Sequence, residues 1–238
     1  MKKIFVVMRM RMVVLPAVIL FLSMGAASPV LKEIKADAHA EKTVYFTFDD
    51  GPSEVTEEIL DILKKENIKA TFFVIGPAGD KTEERIYRIF CEGHSIGLHT
   101  MSHDYEKIYS STEEFLGDLE YERDWIYSIT GEEISIFRFP GGSMNSAVED
   151  WFIDEVIEMT EDKGYRWFDW NADAEDSLGK LLSPEEIAGN VLKSEAVEMG
   201  KDVVVLMHDS ATRTTAPEAL EILIDEFRRR GYSFDKLG

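Results

Sequence analysis

The stretch Thr43–Ser53, TVYFTFDDGPS, decides how the rest of the chain is interpreted. Hydrophobic residues alternate along its first half, which is typical of a short, largely buried β-strand. The strand ends at two adjacent acids, Asp49 and Asp50, and Gly51-Pro52 then predicts a turn. Two carboxylates at the mouth of an apolar strand are costly to desolvate unless a metal ion, a cationic side chain or a shared proton compensates for their charge. For the tetrapeptide Asp49–Pro52 alone, a surface turn is the favoured interpretation, and only residues farther along the chain reverse that preference.

The first 27 of the 238 residues differ in composition from the rest. Four basic residues precede an uncharged run, Met12–Gly25, and small residues follow, in the order typical of a secretory signal. The run is shorter than the roughly 20 residues of a spanning helix, although an uncleaved N-terminal anchor is compatible with it. We therefore expect an exported, extracellular or cell-wall-associated protein. Residues 1–27 are predicted to be a signal peptide or anchor, 28–42 a short linker and 43–238 one domain.

The chain is strongly acidic, with a formal net charge of −20 at pH 7. Such a surface repels nucleic acid and anionic membranes, so we expect no nucleic-acid partner and membrane contact only through an uncleaved N-terminal segment. The charge fits a soluble enzyme that acts outside the cell on a neutral or cationic polymer, and we expect a monomer. The single cysteine, Cys91, has no internal partner and is predicted to be a small buried residue.

Apolar strands alternate with amphipathic helices along residues 43–238, which implies a parallel sheet with helices outside it. The favoured fold is α/β, a distorted or incomplete (β/α) barrel, and an open doubly wound sheet is the alternative. Ser–Glu pairs three residues apart predict the starts of three helices, at Ser111, Ser146 and Ser183.

Polar residues of chemical interest come directly after the predicted strands. In barrels and in open α/β sheets alike, the carboxyl ends of the strands form the ligand-binding face. Because independent surface residues have no reason to share this placement, it predicts a functional site. Its candidate members are Asp49, Asp50, His99, Arg138, either Asp173 or Asp176, and His208.

The sequence HTMSH at 99–103 places two histidines four residues apart, which on a helical turn would let both bind one metal ion. An exposed chance pair is the alternative for this motif alone. One carboxylate, from Asp50 or Asp49, would complete a set of three protein ligands with open positions, which is the pattern of catalytic metal sites. Imidazole-rich ligation favours zinc, and iron, cobalt or manganese also accept this set.

The remaining aspartate would then be available to accept a proton from water. Arg138, between Phe137 and Phe139, could keep that base ionised and oriented. His208 follows the apolar strand VVVLM and is a candidate general acid, whose pKa a nearby acid would tune.

Five short motifs occur in order along the chain: TFDD at 47–50, HTMSH at 99–103, RFPGG at 138–142, DAED at 173–176 and LMH at 206–208. Together they resemble the motifs of the polysaccharide deacetylases (carbohydrate esterase family 4, the NodB-type domain). The resemblance covers residues 43–227. It implies a distorted (β/α) barrel that removes N-acetyl groups from N-acetylglucosamine polymers, or O-acetyl groups from xylan.

The resemblance also implies a role for each matched residue. Asp49 would be the general base, positioned by Arg138, while Asp50, His99 and His103 would hold the metal.

On the other side of the cleft, His208 would protonate the leaving amine, and Asp176 would orient it. The backbone N–H of Gly141 would stabilise the oxyanion, and Leu206 would line the pocket for the acetyl methyl group. Gly141 departs from the family pattern, which often has an aromatic residue there.

Several functions are compatible with the sequence. A peptidoglycan substrate is favoured because of the predicted signal segment; chitin deacetylation, acetyl xylan O-esterase activity and non-catalytic glycan binding are the alternatives. A zinc peptidase is disfavoured because no HExxH helix occurs. At most one of Trp167, Phe168 and Trp170 is expected to stack on a sugar.

Overall fold

The computed structural model describes residues 42–77, 79–177 and 179–238. The predicted signal segment and all but the last residue of the predicted linker lie outside these ranges. Within them, no helix combines the length and the apolar character needed to cross a membrane.

Eight strands form one sheet in which the recorded strand pairs are all parallel. Its order is β5-β4-β3-β2-β1-β7-β6, and β8 pairs with the first residues of β1. Neighbouring strands therefore follow chain order around the sheet, and the ring is open between β5 and β6. The prediction of an incomplete (β/α) barrel is confirmed. The strands are β1 Thr43–Asp49, β2 Thr71–Val74, β3 Ser95–Leu98, β4 Ile136–Phe137, β5 Arg166–Trp167, β6 Ala172–Asp173, β7 Val203–His208 and β8 Ser233–Asp235.

Eight helices are described, and the longer ones pack around this sheet. Both α1 and α6 pack against α8, while α4 packs against α2 and α5. Short helices α3 and α7 were not predicted from the sequence. The helices are α1 Glu54–Glu66, α2 Thr82–Cys91, α3 Tyr105–Ile108, α4 Thr112–Thr130, α5 Asp150–Glu161, α6 Pro184–Leu192, α7 Glu195–Glu198 and α8 Ala216–Arg229.

Two of the three predicted helix starts are correct. Ser183 forms a reciprocal capping box with Glu186, and the side chain of Ser111 accepts a hydrogen bond from the first turn of α4. The prediction for Ser146 is wrong, because α5 begins at Asp150 with Glu149 as its N-cap residue and no side-chain cap. The chain before α5 forms turns instead.

The core lies between the sheet and the helices. Phe46 and Phe48 of β1 are fully buried, as are Ile59 and Leu63 on the inner face of α1. Full burial of a side chain of this size contributes about 1.5–3 kcal/mol to stability, so these contacts hold β1 firmly in the centre of the sheet. Cys91 is exposed, contrary to the prediction of burial, because the inner face of α2 is formed by other positions of that helix.

Candidate functional site

The strand ends bring the predicted site residues together. Asp49 and His208 are the last residues of β1 and β7, and they are direct partners in the parallel register of these two strands. His99 comes directly after β3, and Arg138 directly after β4. Because parallel strands end at the same edge, residues far apart in sequence meet at the carboxyl face of the barrel.

Asp50, His99 and His103 form a cluster that could hold a metal ion, with one ligand atom from each lying within 4.8 Å of the others. Asp50 Oδ1 lies 3.5 Å from His99 Nε2 and 3.2 Å from His103 Nε2. This buried carboxylate oxygen has no hydrogen-bond partner among the described residues. Two imidazole nitrogens and one unpaired carboxylate oxygen are a donor set that fits a divalent metal.

The two histidines do not lie on a helical turn, contrary to the expectation from their spacing. Residues 99–103 are a loop in which Thr100 and His103 have positive φ angles of 73° and 47°. Asp50 also has a positive φ, of 69°. These left-handed residues, and not a helical repeat, turn the three side chains toward one point.

The orientation of His99 is set by a backbone oxygen. Its Nδ1 lies 2.9 Å from the carbonyl oxygen of Arg138, which can only accept, so Nδ1 carries the proton and Nε2 faces Asp50 with a free lone pair. Burial lowers the pKa of His99, which favours the neutral imidazole. Burial alone would raise the pKa of Asp50, but the electrostatic effect of the neighbouring His103 and His99 imidazoles outweighs it and holds this pKa below its usual range.

Two buried acids of α4 hold the backbone of the histidine loop. Glu122 Oε2 accepts from the N–H of His99 at 3.0 Å, and Asp118 Oδ1 accepts from the N–H of Ser102 at 2.8 Å. Lys107 Nζ donates to the other oxygen of Asp118 at 2.6 Å. Burial raises the pKa of Glu122 well above its ordinary value, although its bonds from backbone N–H groups oppose the shift.

Sequence reasoning missed these two acids, although a signal for them exists. On α4 they occupy the same helical stripe as the buried Phe115, Leu119 and Ile126. An acid in an apolar stripe is an anomaly that predicts a specific buried partner.

Arg138 is fully buried and binds Asp49. Its Nη1 donates to Asp49 Oδ1 at 2.8 Å and to Thr47 Oγ1 at 2.7 Å, and its Nε donates to the carbonyl of Phe168 at 3.0 Å. The guanidinium lies 4.2 Å from the ring centroid of Phe73. Asp49, only 2% exposed, is therefore fixed in place by a buried cation whose other hydrogen bonds compensate for its own burial.

His208 pairs with Asp176 and not with Asp173. Asp176 Oδ1 lies 2.7 Å from His208 Nδ1, and Oδ2 accepts from the His208 backbone N–H at 3.1 Å. Asp173 instead accepts from Trp170 Nε1 and from the Glu175 N–H. Burial opposes protonation of His208, but the hydrogen bond and charge of Asp176 prevail and raise its pKa to about 9.

The loop after β4 presents a free backbone donor. Gly141 has a φ of 79°, and its N–H makes no hydrogen bond within the described ranges of the chain. The loop is braced by Tyr109, whose hydroxyl donates to the carbonyl of Pro140 at 2.6 Å, and by Asn145, whose Nδ2 donates to the carbonyl of Gly142 at 2.8 Å.

The remaining predicted residues lie on β7, on β5 or in the segment directly after β5. Leu206 and His208 are two apart on β7 and so lie on one face of the strand, with Leu206 almost fully buried. Of the aromatic residues near the fourth motif, Trp167 packs against the core, while the ring centroid of Trp170 lies 5.5 Å from the Arg138 guanidinium.

Asp209 is a further buried acid that sequence reasoning missed. Its Oδ2 accepts from Thr56 Oγ1 at 2.5 Å, and its N–H donates to the carbonyl of Asp49 at 3.1 Å. A Cβ built on Gly51 would lie 2.3 Å from the carboxylate, so only glycine fits there. Burial raises the pKa of Asp209 to about 7. Asp209 therefore supports the turn that carries Asp49 and Asp50. The sequence offers one indication of this role, which is that Asp209 is an acid shortly after an apolar strand.

The chain is similar to proteins of known family. A family model described as polysaccharide deacetylase matches residues 36–165. A peptidoglycan-N-acetylglucosamine deacetylase of Bacillus cereus is 30% identical over 195 residues, covering 82% of this chain and 68% of that protein. The catalytic domain of a peptidoglycan N-acetylglucosamine deacetylase from Eubacterium rectale superposes with a TM-score of 0.77 at 34% identity, over 84% of this chain and 90% of that one. A Streptococcus mutans CE4 esterase gives a TM-score of 0.74 at 26% identity, over 84% and 87%.

Proposed function

Because the chain belongs to the polysaccharide deacetylase family, we propose that it is a metal-dependent hydrolase that removes acetyl groups from the N-acetylglucosamine residues of peptidoglycan. The observation that carries the proposal is the meeting, at one face of the barrel, of a metal-ligand set with the Asp49–Arg138 and His208–Asp176 pairs. Similarity to the Bacillus cereus and Eubacterium rectale proteins, both named peptidoglycan N-acetylglucosamine deacetylases, supports this substrate.

Asp50, His99 and His103 would hold the metal, and we propose zinc because two imidazoles and one carboxylate suit it. Cobalt, manganese and iron also accept this donor set. A divalent metal bound there supplies Lewis-acid chemistry, lowering the pKa of a water and polarising the acetyl carbonyl.

Asp49 accepts the proton of the attacking water, whose oxygen bonds to the acetyl carbonyl carbon. The buried Arg138 orients the Asp49 side chain through the hydrogen bond to its Oδ1. As the C–N bond breaks, its electron pair goes to nitrogen, and His208 delivers a proton there to release the amine. A pKa of about 9 keeps the His208 imidazole protonated at neutral pH, as a general acid requires, and Asp176 orients the ring.

The N–H of Gly141 donates to the carbonyl oxygen as negative charge develops on it, and Leu206 lines the space for the acetyl methyl group. We also propose that the protein is exported and acts as a monomer at the cell wall, on the basis of the signal-like pattern in residues 1–27.

Acetate release from three polymers tests the proposal: N-acetylated peptidoglycan, chitin oligomers and acetylxylan, with mass spectrometry of the products. Zinc-loaded wild type is expected to release acetate fastest from peptidoglycan, leaving free amines on glucosamine. Release from acetylxylan alone would point to an O-esterase. No release from any of the three by the zinc-loaded protein would reject the hydrolase proposal in favour of a non-catalytic glycan-binding protein.

A further inference from the structure

Tyr105, the first residue of α3, lies at the rim of the metal centre, and no step of the reaction above uses it. Its ring packs edge-on against His103, with centroids 5.6 Å apart, and against Tyr109 at 5.4 Å. Asp104 caps α3 by accepting hydrogen bonds from backbone N–H groups of its first turn. Ring packing and the helix cap together fix the position of the side chain.

The hydroxyl of Tyr105 is not needed for this packing. It makes no hydrogen bond to any part of the chain that the structure describes, whereas the hydroxyl of Tyr109 is bound to the carbonyl of Pro140. Tyr105 is 39% exposed, so the side chain is not enclosed by the surrounding protein.

This hydroxyl lies beside the proposed oxyanion donor. A Cβ built on Gly141 would be 3.0 Å from the Tyr105 hydroxyl oxygen. Because the N–Cα and Cα–Cβ bonds are each about 1.5 Å, the Gly141 nitrogen lies within about 6 Å of that oxygen. A single acceptor atom placed about 3 Å from each of these two atoms could therefore accept hydrogen bonds from both the Gly141 N–H and the Tyr105 hydroxyl. Since the Gly141 N–H has no acceptor among the described residues either, two unused donors are neighbours beside the metal-ligand cluster.

We propose that Tyr105 is a catalytic residue of the deacetylation proposed above, on which this inference rests. Its hydroxyl donates a hydrogen bond to the acetyl carbonyl oxygen, alongside the N–H of Gly141, as that oxygen becomes negatively charged. A donor held in place by ring packing stabilises the developing charge without reorganisation. The side chain thus takes part in the reaction through its hydroxyl, while its ring is structural.

The competing role for this hydroxyl is a ground-state contact with a sugar oxygen. The two roles differ in kinetics. Loss of a donor used in the transition state lowers kcat with little change in KM, whereas loss of a ground-state contact raises KM and leaves kcat unchanged.

The test compares Tyr105→Phe with wild type, both zinc-loaded, by acetate release from a pentamer of β-1,4-linked N-acetylglucosamine. Phenylalanine keeps the ring contacts and removes only the hydroxyl. Tyr121→Phe is the matched control, because Tyr121 is 65% exposed on α4. We expect kcat of Tyr105→Phe to fall about 100-fold, with KM, zinc content and thermal midpoint unchanged, and Tyr121→Phe to match wild type.

An active wild type with an unchanged kcat in Tyr105→Phe would overturn the role of Tyr105 and leave the proposed function standing. A rise in KM alone would also overturn it. A zinc-loaded wild type that releases no acetate from either the pentamer or peptidoglycan would reject the proposed function, and this inference with it.

Discussion

At the scale of single residues, Arg138 links the two halves of the candidate site. Its guanidinium binds the carboxylate of Asp49, and its carbonyl oxygen accepts the Nδ1 proton of His99. Asp50 is adjacent in sequence to Asp49, yet its positive φ directs it toward the imidazoles. Two neighbouring acids therefore receive different environments, which is the condition for different chemical roles.

Asp49→Asn should lower kcat at least about 100-fold while bound zinc stays at the wild-type level. The amide cannot accept the proton of water, and the three proposed metal ligands are intact. Acetate release and metal analysis of the same preparation measure the two effects. His99→Ala is the contrasting variant and should lose both activity and zinc. Near-normal turnover in Asp49→Asn would refute the assignment of the base.

The His208–Asp176 pair predicts an alkaline limit to activity. The pKa of His208 is raised to about 9, so the imidazole is protonated at lower pH and loses its proton as the pH rises through this value. The rate of wild type should therefore fall above about pH 9. In Asp176→Asn the negative charge is gone, and this limb should move to lower pH by at least about one unit. A profile of kcat against pH for both proteins decides the matter; an unshifted limb would exclude the pairing as the cause.

At the scale of elements, α4 anchors the loop that carries the histidines. Asp118 and Glu122, one turn apart on its buried face, accept hydrogen bonds from backbone N–H groups of residues 99–102. The loop therefore has no need of helical hydrogen bonds, which explains why the predicted helical turn is absent. The spacing of the two histidines correctly predicted that both side chains join one cluster. It wrongly predicted that the backbone between them is helical.

Glu122→Ala should destabilise the fold by about 1–3 kcal/mol and weaken zinc binding, because the backbone N–H of His99 loses its buried acceptor. Glu122→Gln should stay close to wild type. Glutamine is nearly the same size as glutamate, keeps an oxygen that accepts from the His99 N–H, and lacks the charge that burial disfavours as it raises the pKa of Glu122. Denaturant unfolding and competitive zinc titration measure both quantities, with the exposed Glu114→Ala as control. Wild-type zinc affinity in Glu122→Ala would contradict this anchoring role.

At the scale of the whole molecule, the strand order assembles the site. The ring runs from β5 through β1 to β7 and β6, which makes Asp49 and His208 direct neighbours although they are far apart in the sequence. The opening of the ring lies between β5 and β6, away from the neighbouring strands β1, β2 and β3. A metal held by Asp50 and the histidine loop would connect the ends of β1 and β3 across β2.

Zinc should therefore raise the thermal midpoint of the whole domain. A ligand present at about 100 times its Kd stabilises the folded state by about 2.7 kcal/mol, which for a domain of this size is a shift of several degrees. Calorimetry of chelator-treated protein, before and after addition of zinc or cobalt, measures the shift, and acetate release should return with it. His103→Ala, which removes one ligand, should show no shift. Equal midpoints for the chelated and zinc-supplemented wild type would argue against a shared metal.

The sequence by itself determined the barrel and most of the strand-end residues of the site. Apolar periodicity is local information, so it predicts β1, β3, β4 and β7 and the polar residues that follow them. Parallel pairing then brings those residues to one face without further assumptions.

Only the tertiary structure decided which acid serves which partner. Contacts between segments far apart in the chain determine that His208 pairs with Asp176 and not with Asp173. Such contacts also bury Glu122 and Asp209, and they place Tyr105 next to Gly141. Left-handed backbone turns at non-glycine residues likewise leave no mark in hydrophobic periodicity, because the surrounding structure imposes them.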